Sequence, residues 1–169
     1  AANVICHIPN LNDVIKSIDL LLKGKGMFIF EEPYLGSMFK KISYDQIYDA
    51  HIYMFSVHSV RAIFDKQGFD LINVTPLKTH GGSMRYTIGR KGKFKIKSIV
   101  SKILNKEKKQ KLNKLSSCLK FKKNCHESSK KFKKEIIVLK KRGLKICGYA
   151  ASAKSTTALN FCGIGNKYL

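Results

Sequence analysis

The chain has 169 residues, 44% hydrophobic and 10% aromatic, with only 3 Pro, a composition that suits one domain or pieces of two. No apolar run of roughly 18 residues occurs, so no membrane-spanning helix is expected. The formal charge is +22, and 21 of the 33 Lys+Arg residues lie between Arg90 and Arg142 against the three acids Glu107, Glu127 and Glu135.

Ala1 to Pro9 carry no basic stretch and no cleavage signal, so no secretory peptide is expected. They also lack an initiator Met and open on an apolar run, as an excerpt of a longer chain would. Val4 to Ile8 reads as the end of a buried strand. Asn10 or Asn12 then caps a helix whose apolar face is Leu11, Val14, Ile15, Ile18 and Leu21–Leu22, with Gly24 and Gly26 as its stop. Met27–Phe30 is an apolar strand closed by Glu31-Glu32-Pro33. Tyr34 to Ser56 reads as a loop dense in tyrosine. Val57–Gln67 reads as a short helix, stopped by Gly68, and Phe69–Val74 and Met84–Gly89 as two strands joined through Pro76 and the loop at residues 80–83.

Residues 94–142 form one or two long basic helices, with a break expected near Asn124–Ser129. Leu144–Tyr149 is then a fresh apolar strand turning through residues 150–153 into a helix near Lys154. The alternation suits an α/β fold, the closing half of an α/β sheet followed by basic helices and the start of a second α/β lobe; two antiparallel strands at its end would suit a methyltransferase-like Rossmann sheet. The expected division is 1–92 and 93–169.

Five cysteines make an odd set without close pairing, which suits reduced thiols in a cytoplasmic protein. Six residues separate Cys118 from Cys125, and no second Cys/His pair completes a site with His126, so no metal site is expected. The basic segment is nearly all Lys, interrupted by only Phe94, Phe121 and Phe132. Base reading and stacking favour Arg and aromatic residues, so this segment reads as a solvated helical face and nucleic acid is not expected as a partner.

Residues 44–56, Tyr-Asp-Gln-Ile-Tyr-Asp-Ala-His-Ile-Tyr-Met-Phe-Ser, hold the most informative chemistry. His51, three residues after Tyr48, puts a base that titrates near neutrality beside a phenol. Such a pair can take a proton from carbon next to a ketone and steady the enolate oxygen; a capping histidine among core tyrosines is the alternative reading. Residues 80–83, His-Gly-Gly-Ser, make either a plain turn or a substrate-lining loop. Residues 148–157 form a small-residue turn opening a helix, where backbone N–H groups can meet an anion. That turn lacks the second glycine of a P-loop.

The segment Y-D-Q-I-Y-x-x-H-x-x-x-F-S resembles the nucleotide-sugar C-methyltransferase family. Agreement in order and spacing extends to Asn3-Val4-Ile5-Cys6-His7-Ile8, to His80-Gly81-Gly82-Ser83-Met84-Arg85, and to Gly148 through Asn160. The resemblance implies C-methylation of a nucleotide-linked keto-deoxysugar with S-adenosylmethionine as donor. His51 would be the base, Tyr48 the enolate partner, and His7 a group facing the reaction centre from a strand end. It further implies a substrate-binding set of His80, Gly81, Ser83, Arg85, Tyr149 and Lys154, with Arg85 either a phosphate contact or a strand-surface charge.

One departure stands out: the family usually has an acid immediately before the motif histidine, and this sequence has Ala50. No glycine-rich donor loop occurs, so that loop is expected upstream of Ala1 and this polypeptide alone is expected to be inactive. A non-catalytic module binding a nucleotide-sugar or nucleic acid is the alternative.

Overall fold

A computed structural model describes residues 1–169. Helix α1 is Leu11–Leu21, its first turn capped by the Asn10 side chain, which accepts the Asp13 N–H. Ile15 and Ile18 are buried as the periodicity predicts, but Leu20 and Leu21 stand in solvent. The helix ends at Leu21, before either glycine, because Leu22 is already extended.

Strand β1 (Met27–Pro33) is followed by helix α2 (Leu35–Lys41) and, after the motif segment, by α3 (Val57–Asp65). Strands β2 (Phe69–Leu77) and β3 (Ser83–Arg90) complete a three-stranded sheet of order β1-β3-β2, antiparallel throughout. Beyond β1, Ala2 forms a parallel bridge to Glu31. The strand expected at Val4–Ile8 is thus a correction. Sheet pairing ends by Asn3, at φ 53°, and Ile5–His7 is a single 3-10 turn. Pro76 lies inside β2 rather than in a turn. It is tolerated because β2 is an edge strand with β3 as its only neighbour.

The main core lies between this sheet and α1, α3 and α4 (Ser98–Lys109). Phe30 is its centre, stacked on Tyr86 at 4.9 Å and packed on Phe64 and Phe55. Period 2 along β1 places Phe28, Phe30 and Glu32 on one face, so Glu32 is buried with the phenylalanines.

The basic segment forms α4 and α5 (Leu115–Lys141). Its break falls at residues 110–114, not near Asn124–Ser129. α4 ends in a left-handed turn at Lys111 (φ 52°), where the Leu112 N–H bonds the Glu107 carbonyl and the Lys111 N–H that of Lys108. Such a turn normally carries glycine, so a lysine there gave no stop signal. α5 continues through the Asn/Ser stretch because Cys125 and Ser129 face inward, the latter near the Phe161 carbonyl. Phe121 stacks on Phe39 at 4.6 Å, docking α5 onto α2.

Leu144–Tyr149 is not a strand: no other strand lies alongside it to supply a ladder, and Ile146 instead packs against Ile136 and Cys162. Of the strand–loop–helix expected here, only helix α6 (Ala153–Cys162) forms. Ser152 and Ser155 cap it reciprocally, and Gly163 (φ 59°) ends it. The architecture is mixed α/β with one small antiparallel sheet. No helix is long and apolar enough to cross a membrane.

Candidate active site

The motif segment expected as loop is held by two short helical pieces, α2 and a 3-10 turn at Tyr44–Gln46. Tyr44 anchors that turn to the C-terminal part of the chain. Its hydroxyl lies 3.3 Å from Cys162 Sγ and its ring 4.9 Å from that of Phe161. Burial and the neighbouring Cys162 push the Tyr44 phenol up to about 12.

Downstream of this anchor, Tyr48 to His51 make a tight turn in which the His51 N–H bonds the Tyr48 carbonyl. The turn brings the Tyr48 hydroxyl to 2.7 Å from His51 Nε2. His51 Nδ1 lies 2.9 Å from the Gln46 carbonyl, which can only accept, so Nδ1 carries the proton and Nε2 offers its lone pair. Burial is the largest influence on this imidazole and lowers its pKa; the Gln46 carbonyl opposes that, and His7 and Lys154 lower it further. His51 is a neutral base at pH 7. Tyr48 is shifted upward, by burial first and then by Cys6 and Asp45, and so is held as a neutral phenol.

His7 stands with its ring centroid 5.1 Å from that of His51. Its Nδ1 donates to the Ala50 carbonyl, which leaves its Nε2 free of any protein partner. Glu32 holds this 3-10 turn in place: its Oε1 accepts the N–H of Val4 at 3.0 Å and of Ile5 at 2.7 Å. The Cys6 thiol, buried beside Glu32, is pushed up to about 12 by burial and by that carboxylate. Cys6 Sγ and one ring nitrogen each of His7 and His51 lie within 4.8 Å of one another, a grouping of ligand-type atoms that the Cys118–Cys125 spacing did not point to.

The 80–83 loop joins the same cluster through Gln46, whose buried amide donates to the His80 carbonyl at 2.9 Å, and through Asn3, 3.2 Å from His80 Nε2. Gly82 (φ 124°) permits this approach, since a Cβ there would meet Ser37 at 2.5 Å. Ser83 is buried at the start of β3, donating to the Thr79 carbonyl, and Gly81 packs beside Gln46. Lys154, in the first turn of α6, is near enough to weigh on His51.

Two members of the expected set stand apart. Arg85 is paired with Glu31 across the β1–β3 ladder at 2.5 Å, and Tyr149 is fully exposed. Sequence reasoning passed over Gln46, Glu32 and Asn3. The period-2 face of β1 could have revealed Glu32, whereas Gln46 acts largely through its backbone carbonyl, which no residue type encodes.

Two sequence profiles divide the chain almost completely between them. Residues 1–74 match a methyltransferase domain, and residues 78–169 match the C-methyltransferase C-terminal domain. The gap between the profiles, residues 75–77, is the end of β2, so the boundary falls inside the sheet. A curated relative, the C-methyltransferase NovU of Streptomyces niveus, is 25% identical over 162 residues, which cover 95% of this chain and 39% of that protein. With the C-terminal domain profile matching more than half of its residues, the chain belongs to the C-methyltransferase family.

Proposed function

We propose that this chain carries the proton-abstraction site of an enzyme that C-methylates a nucleotide-linked keto-deoxysugar at the carbon next to its ketone. The observation that carries this reading is the fixed tautomer of His51, with Nδ1 tied to the Gln46 carbonyl and Nε2 presenting a lone pair at the Tyr48 hydroxyl. His51 Nε2 takes the carbon-bound proton, the electron pair passes into the C–C bond, and the ketone oxygen becomes an enolate. The Tyr48 hydroxyl, released from Nε2 as the substrate enters, donates to that oxygen. His7 stands beside this base, its ring centroid 5.1 Å from that of His51. The His80-Gly81-Gly82-Ser83 loop and Lys154 serve as substrate contacts. Residues 1–92, with the parallel bridge at Ala2 beside antiparallel β3 and β2, form the later part of a Rossmann-like methyltransferase domain. Residues 93–169 form the C-terminal lobe.

A methyltransferase domain implies S-adenosylmethionine as the methyl donor. The residues of this chain do not by themselves fit a cradle for it. The strand-to-helix turn after β1 is filled by the Tyr34 ring, which a Cβ on Gly36 would meet at 2.5 Å. The N–H groups of that turn are spent on the Gly82 and Phe55 carbonyls. The chain spans 39% of the curated relative's length, and no donor-binding step is assigned to its residues.

The test is solvent-deuterium exchange at the substrate's α carbon in the intact protein without donor, which isolates deprotonation. His51→Asn is expected to slow exchange by at least ~100-fold, and Tyr48→Phe by less, because the base survives. Exchange at the wild-type rate in His51→Asn would refute His51 as the base. Loss in His7→Asn instead would move that role to the unpartnered His7 Nε2.

A further inference from the structure

We propose that the cavity between α3, the end of α4 and the 110–114 turn binds a small multivalent phosphate-bearing anion, at a place distinct from the His51 cluster. The cavity measures about 400 Å³, and four cationic residues, Arg61, Lys108, Lys111 and Lys114, line it together with Asn105 and Asn113. None of the four is in an ion pair; the chain's salt bridges use other cations.

The one acid in the lining, Glu107, is only 3% exposed and is committed inward. Its oxygens accept the Val57 N–H at 2.8 Å, the His58 N–H at 2.9 Å and the Tyr34 hydroxyl at 2.9 Å. Four positive charges on exposed side chains therefore rim one concavity whose lining holds no carboxylate free to pair with them. Charges of one sign gathered around a concavity raise the local potential and concentrate anions there.

The backbone supports the same reading. Lys111 occupies the left-handed region at φ 52°, a conformation that non-glycine residues adopt rarely and that persists where the surroundings fix it. Glycine would serve this helix end better, so lysine there exchanges local ease for a cation at the rim. The lining suits a phosphate more than an apolar ligand: only Leu104 and Leu112 are hydrophobic, and the Arg61 fork can take two oxygens of one phosphate.

Inorganic pyrophosphate is the probe, titrated calorimetrically into the intact protein at constant ionic strength. Arg61→Gln with Lys108→Gln should weaken binding by at least ~10-fold, the loss expected from one charge-assisted hydrogen bond. Lys120→Gln with Lys130→Gln, which removes the same charge from α5, should change it less than about 2-fold, since neither residue lines the cavity and charges at a distance are screened. Lys111→Gly separates binding from folding: it should raise the melting temperature, by easing the turn, while weakening pyrophosphate binding. Equal weakening in the α5 control, unchanged binding in Lys111→Gly, or binding of a single-stranded DNA oligonucleotide without binding of pyrophosphate would each overturn the proposal.

Discussion

Glu107 is the residue on which the attachment of the basic helices to the fold turns. It is the acid of α4, yet it crosses to the first turn of α3 and takes two N–H groups there plus the Tyr34 hydroxyl. Replacing it with alanine strands three donors. The cavity beside Glu107 and His58 admits water to part of this set, so about two donors stay dry, each costing about 1–3 kcal/mol. Loss of a carboxylate at a helix N-terminus adds up to ~1 kcal/mol, and relief from burying that charge subtracts a similar amount. The expected loss is about 2–6 kcal/mol, a large share of the ~5–15 kcal/mol that holds a typical domain together. With a urea slope of ~2 kcal/mol/M, the midpoint should fall by about 1–3 M. Glu107→Gln keeps one acceptor and should lose about half as much. Glu135→Ala, exposed on α5, removes the same charge and should stay within about 0.5 kcal/mol. Urea melts of the intact protein followed by circular dichroism give all three values. A Glu107→Ala midpoint indistinguishable from that of Glu135→Ala would refute the reasoning.

Two further outcomes follow from the histidine cluster. The His51 pKa is lowered in the fold, so between that value and the ordinary ~6.5 the unfolded chain binds more protons, and stability held above pH ~6.5 is lost as pH falls. Chemical melts at stepped pH should show this slope in wild type and a shallower one in His51→Asn. The α-carbon exchange rate should likewise rise to its plateau with a midpoint below pH ~6.5, and a midpoint above that would contradict a depressed imidazole. Ala50→Glu should change exchange less than about 3-fold, because the Nδ1 atoms of both His51 and His7 already have backbone carbonyl partners and leave no N–H for a new carboxylate to orient. An increase beyond ~10-fold would show that the missing acid is a handicap the backbone does not offset.

The parts of the fold governed by periodicity were legible. The faces of α1 and α3 and the three strands of the sheet follow from apolar spacing, with ends that moved by a few residues. Elements that depend on distant partners were not. Leu144–Tyr149 has a strand's composition, but a strand requires a neighbour, and no strand of this chain lies beside it. The break in the basic helices was sought at Asn and Ser, whereas the helix ends at Lys111, in a conformation that sequence assigns to glycine. Asn124 to Ser129 stays helical because its small residues let α5 approach α2 and α6, a packing effect that overrides local propensity.

The site divides along the same line. Residue type and spacing pointed to Tyr48, His51 and His7, since an imidazole and a phenol three residues apart on a turn meet through local geometry alone. What makes His51 a base with a defined lone pair is a main-chain oxygen, and what sets the His7 turn is a carboxylate 27 residues along the chain from Ile5. Glu32 was readable as the polar member of an otherwise apolar strand face, and Glu107 as an acid seven positions after the buried Val100, on the inward face of α4. In both cases a buried acid among apolar neighbours marks a place where the fold must satisfy backbone N–H groups that no ladder reaches. A burial pattern that includes a charge, rather than the charge count itself, was the signal that located the supports of this site.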